Sequence, residues 1–293
     1  MARVGSTQLD NYFVCIGAQK SGTSWLANAL SFHRDIFISP IKEVHYFDWH
    51  AGVSEHLAYP RRRSRLRKYF QRLATQPTRF GRYRRQFGWY RRYMRPRLDD
   101  AWYLRLFEDR LGATFAGEAT PEYALLGTEG FAHIRALAPE ARVIYLMRDP
   151  VKRAWSQLLH QCRRDRVDVS QMPVSEMQRR VSLPTFDRFG RYVETIDAAN
   201  AVFGPERVGL FFYEDMHADR WQALLDVSRF IGAGFHEADF APLDLDARVN
   251  VARNASSLPA DFAVYLARKY AAQVDGVEAR AGRVPVSWRA ANA

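Results

Sequence analysis

The chain predicts an α/β fold with a central parallel sheet flanked by helices in three layers. Short apolar runs of strand length alternate with longer segments of helical composition, the order a parallel sheet requires. Glycines or an Asp-Pro pair mark strand-to-helix junctions, at Gly17, Gly22 and Asp149-Pro150. A chain of 293 residues with 47% hydrophobic content can bury one substantial core, so a single domain over 1–293 is expected. An arginine-rich insertion at about 55–100 interrupts it.

Taken in order, residues 12–16 predict the first strand and residues 23–32 the first helix. Residues 36–39 predict a strand, 143–147 another with a helix over 151–163, and 208–212 a third with a helix over 220–231. Residues 261–273 carry the pattern of an amphipathic C-terminal helix. The polar stretch 163–184, with prolines at 173 and 184, is expected to form a loop or lid on the substrate side.

The most informative stretch is Asn11-Tyr-Phe-Val-Cys-Ile-Gly-Ala-Gln-Lys20-Ser-Gly-Thr-Ser-Trp25-Leu. A buried strand, a glycine turn and a helix start would aim backbone N–H groups and a helix dipole at one spot, which suits a phosphate or sulfate. Gly17 and Gly22 have the spacing of the nucleotide loop G-x-x-x-x-G-K-[ST], but Thr23 follows Gly22 and the lysine sits earlier, at Lys20. A second element is Arg148-Asp-Pro-Val-Lys-Arg-Ala-Trp-Ser156, which puts an arginine at a strand's C-terminal end and a serine two turns into the next helix. Ligands of open α/β sheets bind at those ends.

Together the two elements resemble the PAPS-dependent sulfotransferases, whose fold is P-loop-like. The resemblance implies that Lys20, Ser21, Gly22, Thr23 and Ser24 hold the 5′-phosphosulfate, with backbone N–H groups of residues 22–25 as donors. Arg148 and Ser156 would take the 3′-phosphate. Trp25 would stack on adenine or, alternatively, anchor its helix in the core. Lys42-Glu43-Val44-His45-Tyr46-Phe47-Asp48 is similar to a segment of the heparan-sulfate-type and related bacterial carbohydrate sulfotransferases in which the glutamate is the base. Glu43 is therefore the first candidate for deprotonating an acceptor, with His45 the rival.

Further matches extend to about Asn254. Glu118-Ala-Thr120-Pro-Glu122-Tyr resembles an E-K-T-P-x-Y segment on the substrate side, with Ala119 in place of the lysine. Glu118, Thr120 and Glu122 are thus candidate substrate contacts. Tyr213, in the string resembling Y-E-D-L, and Arg253, in the place of the last cofactor-side loop, are candidate cofactor contacts. The resemblance implies PAPS as sulfuryl donor, no metal, and an acceptor on a carbohydrate or glycolipid.

Residues 61–97 hold fifteen Lys or Arg and no acid, interleaved with eight aromatics, while the whole chain carries a formal +11. The basicity is therefore local. Pro77, Gly81 and Gly88 are expected to interrupt any long helix there, although residues 61–73 have helical composition. Three roles compete: a solvated insertion, a wall facing an acidic acceptor or anionic surface, and a nucleic-acid contact. The wall is preferred, with Arg84 and Arg85 as substrate contacts; no nucleic-acid module accompanies the block, so no nucleic acid is expected.

Cys15 and Cys162 give no disulfide framework, and six histidines (33, 56, 133, 160, 217 and 236) show no metal spacing. No apolar run approaches the length of a membrane span and no secretory leader is evident, which favours a cytoplasmic enzyme, peripheral to a membrane at most. Two other classes compete: a P-loop nucleotide kinase, and a non-catalytic polyanion- or nucleic-acid-binding protein. The kinase is disfavoured by the lysine position and by Arg148 where a Mg²⁺-binding aspartate would sit.

Overall fold

A computed structural model describes residues 7–75, 80–243 and 256–289. Five strands, β1 Tyr12–Gly17, β2 Ile36–Ile38, β3 Phe115–Ala119, β4 Arg142–Met147 and β5 Val208–Phe212, form one parallel sheet in the order β2-β3-β1-β4-β5. Between β1 and β3 run α1 Thr23–Leu30, α2 Tyr46–His50, α3 Tyr59–Thr75, α4 Phe80–Tyr93 and α5 Asp100–Phe107. Next come α6 Gly127–Leu137, α7 Pro150–Asp165, α8 Val174–Ser182, α9 Pro184–Asp187 and α10 Tyr192–Phe203. Then α11 Tyr213–Ala218, α12 Arg220–Ile231 and α13 Ala260–Ala281 complete the set.

Side-chain alternation assigns each strand residue to a layer. Tyr12, Val14 and Ile16 of β1, with Val143, Tyr145 and Met147 of β4, join a core that includes α5, α6 and α10. Phe13 and Cys15, with Ile144 and Leu146, face the opposite layer of α1 and α12. Every residue of β1 is buried, as an apolar run without polar alternation requires of a central parallel strand. Each such side chain contributes about 1.5–3 kcal/mol. Burial also pushes the Cys15 thiol up to about 11, which makes it a small hydrophobe rather than a nucleophile.

Two expectations are corrected. Gly81 and Gly88 lie inside α4 instead of breaking it, because Trp89, Tyr90 and Tyr93 are buried and Tyr69 of α3 stacks on Tyr90 at 4.0 Å; Pro77 lies outside the described residues. Packing outweighs a glycine cost of about 1 kcal/mol each. The stretch 163–184 is largely helical, not a loop: Met177 and Val181, four residues apart on α8, pack with Phe262, Leu266 and Tyr270 of α13. The C-terminal helix runs further than expected, from a Pro259 N-cap to Gly282 in the left-handed region at φ 75°.

Under the sheet's C-terminal edge sits a fully buried carboxylate, Glu118 at the end of β3. It accepts hydrogen bonds from Tyr103 Oη (2.6 Å), Thr120 Oγ1 (2.7 Å), Tyr123 Oη (2.9 Å) and the Val44 amide (3.0 Å). Burial raises its pKa, and the four donors oppose that rise. Truncation should therefore be expensive, since buried donors would lose their acceptor. Glu118→Ala is expected to lower unfolding free energy by about 3 kcal/mol or more, read from the urea midpoint, and Glu118→Gln by less.

Candidate active site

Three loops at the C-terminal ends of neighbouring strands meet at one place. After β1, Lys20 takes a left-handed backbone at φ 71° and Gly22 one at φ 86°. A Cβ on Gly22 would come within 2.6 Å of Met216 and 3.0 Å of Tyr213, so only glycine fits beneath α11. Helix α1 then starts with no side-chain cap. Its Trp25 amide already donates to the Gly22 carbonyl at 2.9 Å, so the donors for an anion are the amides before it, and Trp25 N–H drops out of the expected set.

After β4, Asp149 caps α7 by accepting from the Val151 amide at 2.9 Å, with Pro150 in the first turn. A carboxylate spent on a helix cap is a poor Mg²⁺ ligand, which weakens the kinase alternative. Tyr192 Oη holds the Arg148 carbonyl at 2.8 Å. Arg148 then donates through Nη1 to the Lys20 carbonyl at 3.1 Å, and its guanidinium lies 4.7 Å from the centre of the Tyr213 ring, at the end of β5. Lys20, Arg148 and Tyr213, three predicted cofactor contacts far apart in sequence, are thus one cluster.

The charge there is unbalanced. Among the described residues neither Lys20 nor Arg148 has a carboxylate partner. Burial, then the charges of Arg163, Arg148 and Lys42, lower the Lys20 pKa. Arg148 Nε and Ser21 Oγ are buried without hydrogen-bond partners. Orphaned donors and uncompensated cations around a glycine cradle fit an anionic ligand with phosphate groups. Ser156 and Ser24 are partly exposed on α7 and α1, while Thr23 and Ser21 are buried. Arg163 was not anticipated by the sequence; only the turn of α7 that brings it towards Lys20 marks it.

Trp25 is a core residue. It is buried in one cluster with Leu26, Leu224 and Met216, with the Arg220 guanidinium 5.8 Å from its ring centre, which favours the anchor alternative. Arg253 lies outside the described residues, as does the Arg85 side chain.

The second half of the site is the segment leading into α2. Glu43 and His45 both have left-handed backbones, at φ 69° and 62°, an uncommon state for such residues that surrounding contacts must hold. The Glu43 amide donates to the Ala119 carbonyl at 3.1 Å, and the Tyr46 amide to Tyr123 Oη at 3.0 Å. Arg65 of α3 donates to the Glu43 carbonyl at 2.9 Å and to Tyr93 Oη at 2.9 Å, contacts that no local pattern announces.

His45 Nδ1 bonds Asp48 Oδ2 at 2.7 Å, Ser54 Oγ donates to the same oxygen at 2.6 Å, and His45 Nε2 lies 3.7 Å from Glu43 Oε2. Burial favours the neutral imidazole, yet the two carboxylates outweigh it and raise His45 to about 9. Burial likewise pulls Glu43 up, but His45 and the ion pair with Lys42 outweigh it and hold the carboxyl down at about 2. The Glu43 side chain is 33% exposed and that of His45 2%, so the carboxylate is the group an acceptor can reach.

Glu122 joins them: one ligand atom each of Glu43, His45 and Glu122 lie within 4.8 Å of one another. That is the spacing of a mixed metal set, but Lys42 and the imidazolium bring positive charge to the same place. Burial raises the Glu122 pKa. Two other expected substrate contacts are corrected. Glu118 and Thr120 are fully buried and bonded to each other, so they support the loop from below rather than meet a substrate. Arg84 is exposed on α4.

No curated protein sequence matches the chain. Among solved structures, a sulfotransferase from Alicyclobacillus acidocaldarius is similar at a TM-score of 0.64 and 24% identity, covering 96% of this chain and 99% of the other. The sulfotransferase domain of the curacin biosynthetic pathway gives 0.53 and 16%, over 81% and 79% of the two chains. That of the Synechococcus PCC 7002 olefin synthase gives 0.52 and 17%, over 90% and 96%. At these identities the likeness is one of fold. The profile of the sulfotransferase family matches residues 13–237, most of the chain, and the protein belongs to that family.

Proposed function

We propose that this sulfotransferase takes its sulfuryl group from PAPS and passes it to a hydroxyl or amine on a carbohydrate or glycolipid. The observation that carries the donor assignment is the Arg148 bridge to the Lys20 carbonyl, which joins two cations that have no carboxylate partner among the described residues. Bound PAPS would supply the sulfuryl group and a bisphosphate that leaves. The amides of Gly22, Thr23 and Ser24 with Lys20 would hold the 5′ end. Arg148 and Ser156 would hold the 3′-phosphate, with Tyr213 supporting the guanidinium from below. Lys20 would then meet the negative charge that grows on the departing phosphate, and a fixed donor of that kind contributes about 3 kcal/mol to catalysis.

Glu43 is the proposed base. Its exposure supports this, and so does the raised pKa of His45, which leaves the imidazole carrying a proton at neutral pH. The attacking oxygen becomes strongly acidic as it bonds to sulfur, so a carboxylate held at about 2 still accepts its proton late in the transfer. His45 then acts on Glu43 as a charged clamp, fixed by Asp48. The carbohydrate class rests on the likeness of residues 42–48 to the carbohydrate enzymes. The direct test is transfer of radiolabelled sulfur from PAPS to a panel of glycans, glycolipids and phenols in buffer containing EDTA. Failure with every acceptor, or dependence on a divalent cation, would count against the reading.

Calorimetry should show adenosine 3′,5′-bisphosphate binding about ten- to hundredfold more tightly than 5′-AMP, because one charge-assisted contact is worth about 1.5–3 kcal/mol. Arg148→Ala should remove most of that preference. Equal affinities in the wild type would refute the 3′-phosphate assignment.

Glu43→Gln is expected to cut kcat by about 10²–10⁴-fold with nucleotide affinity almost unchanged. A mild effect here, paired with a large one for His45→Ala, would transfer the role to His45.

The His45 ring should titrate by NMR near 9, and Asp48→Asn should bring it down. The sign for stability follows from that rise. Its contribution is complete below about 6.5, the unfolded value, and fades as pH climbs through about 9. Denaturant midpoints across that window should fall in the wild type and stay flatter in Asp48→Asn.

A further inference from the structure

Folding divides the arginines of 61–97 into two groups. Arg62, only 3% exposed, donates to the Tyr93 and Arg95 carbonyls at 2.7 and 2.9 Å, and Arg65 pins Glu43. These two are internal fastenings. Arg63, Arg67, Lys68 and Arg72 on α3, with Arg84 and Arg91 on α4, are exposed and have no ion pair among the described residues. Among the described residues of the segment, only Arg92 and Arg97 reach carboxylates, Asp109 at 3.7 Å and Asp99 at 2.5 Å.

The exposed cations are interleaved with exposed aromatic rings. Arg63, Arg67 and Phe70 follow at spacings of four and three, and so share one stripe of α3. Arg84, Phe87 and Arg91 do the same on α4. Phe70 is 44% exposed and Phe87 51%, with Tyr59 at the start of α3 at 58%. A dissolved polyanion would satisfy the cations and leave these rings in water. The headgroup region of a bilayer takes both, since it pairs negative charge with a shallow apolar layer.

We propose that the α3–α4 pair docks on the surface of an anionic lipid bilayer. The protein lies on that surface and does not cross it; among the described residues no helix is long and apolar enough to span a membrane. Because Arg65 of the same α3 grips the Glu43 carbonyl, docking brings the proposed base close to the lipid surface. Resting on the sulfuryl-transfer reading, this points to an acceptor carried by a lipid, although the docking itself does not need that reading.

The test is co-sedimentation of the full chain with vesicles of phosphatidylcholine alone and of phosphatidylcholine mixed with phosphatidylglycerol, at low and high salt. The wild type should pellet with the anionic vesicles, weakly with the neutral ones, and less as salt rises. Reversing Arg63, Arg67, Arg84 and Arg91 to Glu should weaken partitioning by about a hundredfold or more. Phe70→Ser with Phe87→Ser should weaken it by about tenfold while leaving all charges in place. Circular dichroism and binding of adenosine 3′,5′-bisphosphate, unchanged in both variants, establish that they fold; that same nucleotide measurement judges the donor assignment separately. Equal binding to both vesicle types, no binding to either, or an unaffected charge-reversed variant overturns the proposal. Retention on an immobilised acidic glycan with no vesicle binding, or an unaffected phenylalanine variant, overturns it in favour of a soluble polyanion.

Discussion

A single carboxylate sealed from water, Glu118, is the constraint on which the rest of the site depends. Its four donors come from α5, from the turn after β3 and from the segment that carries Glu43. A buried charge is tolerated only when its lone pairs are filled, so these elements cannot separate without exposing it unpaired. The Val44 amide is one of the four, which ties the backbone between Glu43 and His45 directly to the sheet. Tyr123 does double duty, donating to Glu118 and accepting from the Tyr46 amide.

That foundation lets the site hold two opposite electrostatic arrangements side by side. Around Lys20 and Arg148 positive charge has no carboxylate partner among the described residues, a costly state that an anionic ligand would relieve. Around Glu43 the charges cancel locally, with Lys42 and the His45 imidazolium against Glu43 and Asp48. Lys20, Glu43 and His45 also account for three of the six described non-glycine residues with positive φ. Such backbone costs of order 1–3 kcal/mol each and persists where neighbours over-determine it. Here the amide and carbonyl of Glu43 are both held, by Ala119 and by Arg65.

Chemically identical side chains do unlike work in the basic segment. Arg62 and Arg65 bind backbone carbonyls in the interior, where a planar guanidinium with several donors satisfies more than one acceptor at once. Their neighbours one or two positions away stand in solvent. Helical periodicity alone makes the division, since Arg62, Leu66 and Tyr69 fall on the inward face and Arg63 and Arg67 on the outward one.

Local pattern was enough for four of the five strands, the Lys20 and Arg148 loops and the α7 cap, because apolar runs, glycine spacing and Asp-Pro act locally; β3, whose Phe115-Ala-Gly-Glu-Ala run carries a glycine and a charge, was not legible as a strand. β5 and α12 lie where the pattern put them, and the site residues after β1 and β4 meet because neighbouring parallel strands end on the same edge. Only tertiary structure decided burial and partnership. Glu118 and Thr120 look like substrate contacts in a motif and are sealed inside; Trp25 looks like a stacking platform and is packed in the core. Glu43 and His45 are two residues apart, the first candidate and its rival in sequence. Their partners Asp48 and Lys42 and the depth of the imidazole are facts of three-dimensional proximity that no local pattern carries. The helices α4 and α8 were likewise invisible to composition, since long-range contacts with α3 and α13 outweigh local glycine and polar content.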